Sequence, residues 1–211
     1  YYYFHNQFKI SEALQQAKTK TEIANVYAYA SIQKVDKNLD YLKEIYKNNP
    51  KSEILGLLLL REINKIEDWV YTPYYSNYLP SLEFDWSGSN KTTTETLRNR
   101  SENDRLYAQE VLNFIQTIDL KTTQNPLVWQ AAQINLQFIT RNYAACLQQI
   151  TSFEKTYIND RSQTEIEKIK ALCITANQEN GKAIIKPEIQ NTILKYKNDQ
   201  RFIFALGRYA I

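Results

Sequence analysis

Apolar positions recur along this chain at spacings of three and four for most of its length, the period of helices with one buried side. The segment Glu53 to Val70 is different. Ile54, Leu55, Leu57, Leu58, Leu59 and Leu60 leave it no polar side for nearly two turns, and only then do Ile63, Ile66, Trp69 and Val70 restore a stripe. A helix of that pattern is expected to enter buried on all sides and leave one-sided, so it belongs at the centre of a pile of antiparallel helices.

The flanking pattern supplies the neighbours. Residues 1–20 open on Tyr1, Tyr2, Tyr3 and Phe4 and continue as a polar helix with Phe8, Ile10, Ala13, Leu14 and Ala17. A helix over 21–34 presents Ile23, Val26, Tyr27 and Ala30, and Asp36 caps a short partner whose stripe is Val35, Leu39, Leu42, Ile45 and Tyr46. Asn49 and Pro50 then give an N-cap and first-turn proline for the central helix. The same pair recurs 76 residues later at Asn125 and Pro126, and that offset lays Leu55, Leu58, Leu60 and Ile63 over the apolar Ala131, Ile134, Leu136 and Ile139. Between them a helix is expected to start at Thr92 or Ser101, each heading a capping box with Glu95 or Asp104, and to carry Leu106, Tyr107, Val111, Phe114, Ile115 and Ile118. Beyond a turn at Arg141 and Asn142, the clearest stripe is Tyr143, Cys146, Leu147, Ile150, Phe153 and Tyr157. Ser162 and Glu165 form a further capping box before Ile166, Ile169, Leu172, Cys173 and Ala176, and Pro187 opens a last pair bearing Ile189, Ile193, Leu194 and Tyr196, then Phe202, Ile203, Leu206 and Tyr209.

Trp129, Ala132 and Leu136, followed by a short polar turn and then Tyr143 and Cys146, resemble a tetratricopeptide repeat, with Arg141 or Asn142 standing where that repeat has its turn glycine. The match spans about 30 residues, and the offset of 76 is about two units of 38, within the range of helical-hairpin repeats. The resemblance implies an all-α fold: a right-handed stack of about five antiparallel helical hairpins, an α-solenoid over residues 1–211. It also implies a concave face of the kind that binds peptides or other proteins.

Composition agrees with helices and narrows the chemistry. Four glycines and five prolines in 211 residues suit long helices joined by short turns. Lys and Arg number 26 against 23 Asp and Glu, a net charge of +3 without a clustered basic face, which is not a nucleic-acid footprint. The longest apolar run, Ile54 to Leu60, is about a third of what spans a bilayer. With Tyr1 first and no Met anywhere, the chain is expected to be a segment of a larger protein, and its compartment stays open between cell envelope and cytoplasm. No Gly-rich phosphate loop, HExxH or GxSxG is present, and a lone histidine, His5, gives little scope for nucleophilic relays or metal binding. The adjacent carboxylates Glu67 and Asp68 do not face each other on a helix. No enzyme activity and no cofactor are expected.

Two features remain as candidate sites. Cys146 and Cys173 are equidistant from the Asn159–Asp160 junction, so a hairpin turning there makes them neighbours, as small buried hydrophobes or as a disulfide. The stretch 71–90 is a long connection crowded with Tyr74, Tyr75, Tyr78, Phe84 and Trp86 beside Glu83 and Asp85. It either folds back to fill a gap between helices or serves as a recognition surface, with rings for stacking and carboxylates for hydrogen bonds. In the second form it is similar to the aromatic insertions of certain outer-membrane glycan-binding lipoproteins built on tetratricopeptide helices. The expected function is therefore a non-catalytic binding or scaffolding segment with a protein or peptide partner. A glycan-binding module using the 71–90 stretch and a structural spacer are the alternatives.

Overall fold

The computed structural model describes residues 9–75, 90–157, 162–179 and 184–210, and all regular structure among them is helical. The chain divides into two compact units, residues 1–132 and 133–211.

The first unit holds α1 (Ile10–Gln16), α2 (Lys20–Gln33), α3 (Leu39–Asn48), α4 (Glu53–Tyr75), α5 (Asn90–Gln116) and the opening turns of α6 (Pro126–Ile139). α2 starts in a complete capping box, in which Thr19 accepts from the Glu22 amide and Glu22 accepts from the Thr19 amide. Its buried positions are Ala24, Ala28, Ala30 and Ser31, small residues that let α3 pack closely against it. α3 answers with Leu39, Leu42 and Ile45, spaced three apart on one face. α4 buries Leu55, Leu58, Leu59, Ile63, Ile66 and Val70, packs along α5, and also touches α2 and α3. Tyr46, Phe114 and Trp129 close this core as a triangle of rings with centroids 6.1, 6.2 and 6.2 Å apart.

Several expectations need correction here. α4 is not buried all round: Leu57 is 64% and Leu60 42% exposed, so the leucine run has an outer face like any other helix. The 76-residue correspondence fails at the same point, because Leu136 is buried where Leu60 is not. Asn49 and Pro50 form the turn closing α3 and α4 begins only at Glu53, whereas Asn125 and Pro126 do open α6. Asp36 does not cap α3; Asn38 occupies that position, and Val35 is 78% exposed. Ser101 lies well inside α5, where its hydroxyl donates to the Val70 carbonyl at 2.7 Å and ties α5 to α4.

The second unit holds the rest of α6, then α7 (Tyr143–Thr156), α8 (Gln163–Ala176), α9 (Pro187–Lys195) and α10 (Gln200–Ala210). α6 ends with Arg141 at φ 61°, the Asn142 amide bonded to the Gln137 carbonyl and the Arg141 amide to that of Phe138. That is the Schellman arrangement, in which a left-handed residue satisfies the last carbonyls of a helix, so Arg141 does the work usually left to glycine. α7 buries Cys146, Ile150 and Phe153 on the expected stripe. α8 packs against α7, α9 and α10, and its Ala171 joins Ile189, Phe202 and Leu206 in a small core. The Ser162 capping box does not form, because Ser162 has helical dihedrals and makes no capping hydrogen bond, while Glu165 pairs with Lys168.

Candidate functional site

The aromatic stretch is shorter than expected, since α4 continues through Tyr75 and α5 begins at Asn90. Tyr78, Glu83, Phe84, Asp85 and Trp86 lie outside the described residues, as do the side chains of Tyr74 and Tyr75. The described residues offer three other places where chemistry gathers.

The first is the turn between α2 and α3, which is held by a buried polar network. Glu62, inside α4, accepts from the Tyr107 hydroxyl at 2.5 Å and from the Asn38 amide at 2.9 Å. The same phenol oxygen accepts from the Asn38 and Leu39 amides at 2.9 and 3.0 Å. Lys65 pairs with the second Glu62 oxygen at 2.5 Å and donates to the Asp36 carbonyl at 2.6 Å. Burial pushes the Lys65 ammonium below its ordinary pKa despite the pull of Glu62. Burial, then the hydrogen bond to Glu62 and its charge, hold the Tyr107 phenol well above 10. These groups are spent on one another and on backbone amides that open α3, so the cluster locks a turn and offers no free acid or base.

The second is the cysteine pair. Both sulfurs are fully buried and 3.1 Å apart, the Cys173 thiol donating to Cys146 and the Cys146 thiol to the Ile134 carbonyl at 3.4 Å. The equal spacing about the hairpin turn does bring them together. Among the described residues no group of three or more His, Cys, Asp or Glu could hold a metal ion.

The third is a groove of about 760 Å³ in the second unit, along α7, α8 and α9. Leu147 and Ile174 supply its open apolar surface over the almost fully buried Ile166, Ala171 and Ile189, and among the described residues Glu154, Glu167 and Glu188 face it with one cation, Lys170. Lys170 bonds both Glu154 oxygens at 2.9 Å. Glu167 accepts from Lys195 at 2.6 Å and from the Tyr196 hydroxyl at 2.8 Å. Burial raises the Glu167 pKa, but Lys195, Tyr196 and Thr192 together outweigh it and hold the carboxyl below 4.5. Among the described residues, with Lys195 counted, three carboxylates stand against two ammonium groups, and Glu188 is exposed with no ion pair to any described residue.

The groove was not legible in advance. Its carboxylates come from three helices with no common spacing, and the only hint was the apolar Ile174, which lies off the stripe expected for its helix. A smaller groove of about 460 Å³ in the first unit runs between α2 and the start of α4, lined by Ala28, Tyr29, Ile32 and Ile54 among others. Among the described residues no helix is long and apolar enough to cross a membrane. Comparisons with models of known protein families, with curated proteins and with solved structures find no match.

Proposed function

We propose that the chain is a non-catalytic binding and scaffolding element, a right-handed stack of helical hairpins resembling tetratricopeptide repeats, and that the groove of α7, α8 and α9 receives a peptide segment of a protein partner. The observation that carries this reading is the combination of an apolar groove surface with Glu154, Glu167 and Glu188 facing the same space. Burial of a partner's apolar side chains on Leu147 and Ile174 supplies affinity, at about 25 cal/mol per Å² removed from water before the costs of ordering. The one carboxylate in excess, Glu188, sets orientation and disfavours acidic segments, so the fitting partner carries Lys or Arg beside its apolar anchors. A volume of about 760 Å³ accommodates a few side chains, the scale of a short helix or extended segment.

The test is a fluorescence anisotropy titration with a labelled amphipathic peptide of Leu and Lys at helical spacing, run beside a twin with every Lys replaced by Glu. The basic peptide should bind saturably, lose affinity with added salt and lose it again in an Ile174→Glu variant of retained helicity. Equal binding of both peptides, or of neither, contradicts the assignment.

A further inference from the structure

We infer that Cys146 and Cys173 are a disulfide-forming pair, a covalent cross-link site joining α7 to α8 in the second unit. Two thiols packed only as small hydrophobes need no particular alignment. Here the sulfurs stand 3.1 Å apart in a directed chain, Cys173 donating to Cys146 and Cys146 to the Ile134 carbonyl, at full burial. A disulfide bond is about 2.05 Å long, so the sulfurs must close by only about 1 Å, less than a rotamer change would move them. They are the only two cysteines of the chain, so no other intramolecular pairing competes.

The reactant is a disulfide of the oxidised-glutathione class. One cysteine thiolate attacks a sulfur of the reactant, forms a mixed disulfide and expels one reactant thiol. The second cysteine thiolate then attacks the protein-bound sulfur of that mixed disulfide and expels the other reactant thiol. The two protein thiols give up two protons and two electrons, and the reactant disulfide takes up both and becomes two thiols. The bond between the sulfurs, and then burial, hold the Cys173 thiol protonated in the folded chain, so exchange proceeds through opening of the α7–α8 hairpin. Leu147 follows Cys146 and Ile174 follows Cys173, so the cross-link sets the spacing of two helices that line the groove.

The experiment incubates the folded chain with oxidised glutathione at urea concentrations below its unfolding midpoint, then denatures it and labels free thiols with N-ethylmaleimide. The expected product is lighter by two hydrogens, takes no label, and forms faster as urea increases. Its thermal midpoint should rise by roughly 5–10 °C over the dithiothreitol-treated protein, with no such shift in the Cys146→Ala or Cys173→Ala variant. Two labelled thiols, a persisting mixed disulfide with glutathione, or a midpoint shift that survives in the single-alanine variants would overturn the assignment.

Discussion

The Tyr107 hydroxyl donates to Glu62 across 2.5 Å in the interior of the first unit, joining α5 to α4 between residues 45 positions apart. Because Asn38 and Leu39 direct their amides at the same two side chains, this one contact fixes where α3 begins. Tyr107→Phe removes the donor to a buried carboxylate and an acceptor from two buried amides without opening a large cavity. It should cost about 2–3 kcal/mol, read as a lower urea midpoint at unchanged slope. A midpoint equal to that of the parent protein would mean that water replaces the phenol at no cost.

Alkaline pH probes the same group. The Tyr107 phenol is raised above its ordinary value of 10 in the folded chain, so the unfolded chain loses this proton first. Its contribution is complete below pH 10 and is lost as pH rises beyond it. Lys65 acts in the opposite sense, since its lowered pKa makes the cost of keeping it charged fall as pH climbs toward 10.5. Stability curves should therefore separate the two: the Tyr107→Phe variant keeps more of its neutral-pH stability above pH 10 than the parent does. Parallel curves would show that Tyr107 titrates as a solvated phenol.

Much of the first unit's pattern was readable, and the failures have identifiable causes. Leu39, Leu42 and Ile45, like Cys146, Ile150 and Phe153, lie on simple stripes and are buried as expected. The run Leu57 to Leu60 has no period, so it could not say which leucines face outward. Ser101 had the look of a cap because Ser with an acid three residues on is a start signal, but a buried hydroxyl answering the Val70 carbonyl satisfies the same residue inside a helix. Glu62 falls on the stripe of Leu55, Leu58, Leu59 and Ile66 and is fully buried, yet one carboxylate on a stripe carries no sign of burial by itself. Its partners, Asn38 and Tyr107, are distant in sequence and become visible only in the packed structure.

The two faces of α4 give a matched pair of substitutions. Leu59→Ala, at a fully buried site, should destabilise by about 2–5 kcal/mol. Leu57→Ala removes the same atoms from a side chain that is mostly in water, and should change stability by no more than about 0.5 kcal/mol. Urea titrations of equal midpoint shift would contradict the assignment of the inner face.

Acid should weaken the second unit through Glu167. Its folded pKa is depressed below 4.5, so its contribution is present above that pH and is lost as pH falls through the folded value. Glu167→Gln should flatten the decline in stability below pH 4.5, followed by circular dichroism in urea. An unchanged acid limb would place the sensitivity in other carboxylates, among them Asp199, which Lys168 and the Phe202 amide also hold low.

Peptide selection on the groove tests the proposed function most directly, because it presupposes no partner sequence. A random peptide library would be panned against the chain and against a Glu154→Lys, Glu188→Lys variant whose fold is checked by circular dichroism. The parent should enrich peptides with Lys or Arg beside apolar anchors, and the variant should lose that enrichment or turn toward acidic sequences. Enrichment of the same peptides by both proteins would place any binding site elsewhere on the chain and contradict the groove.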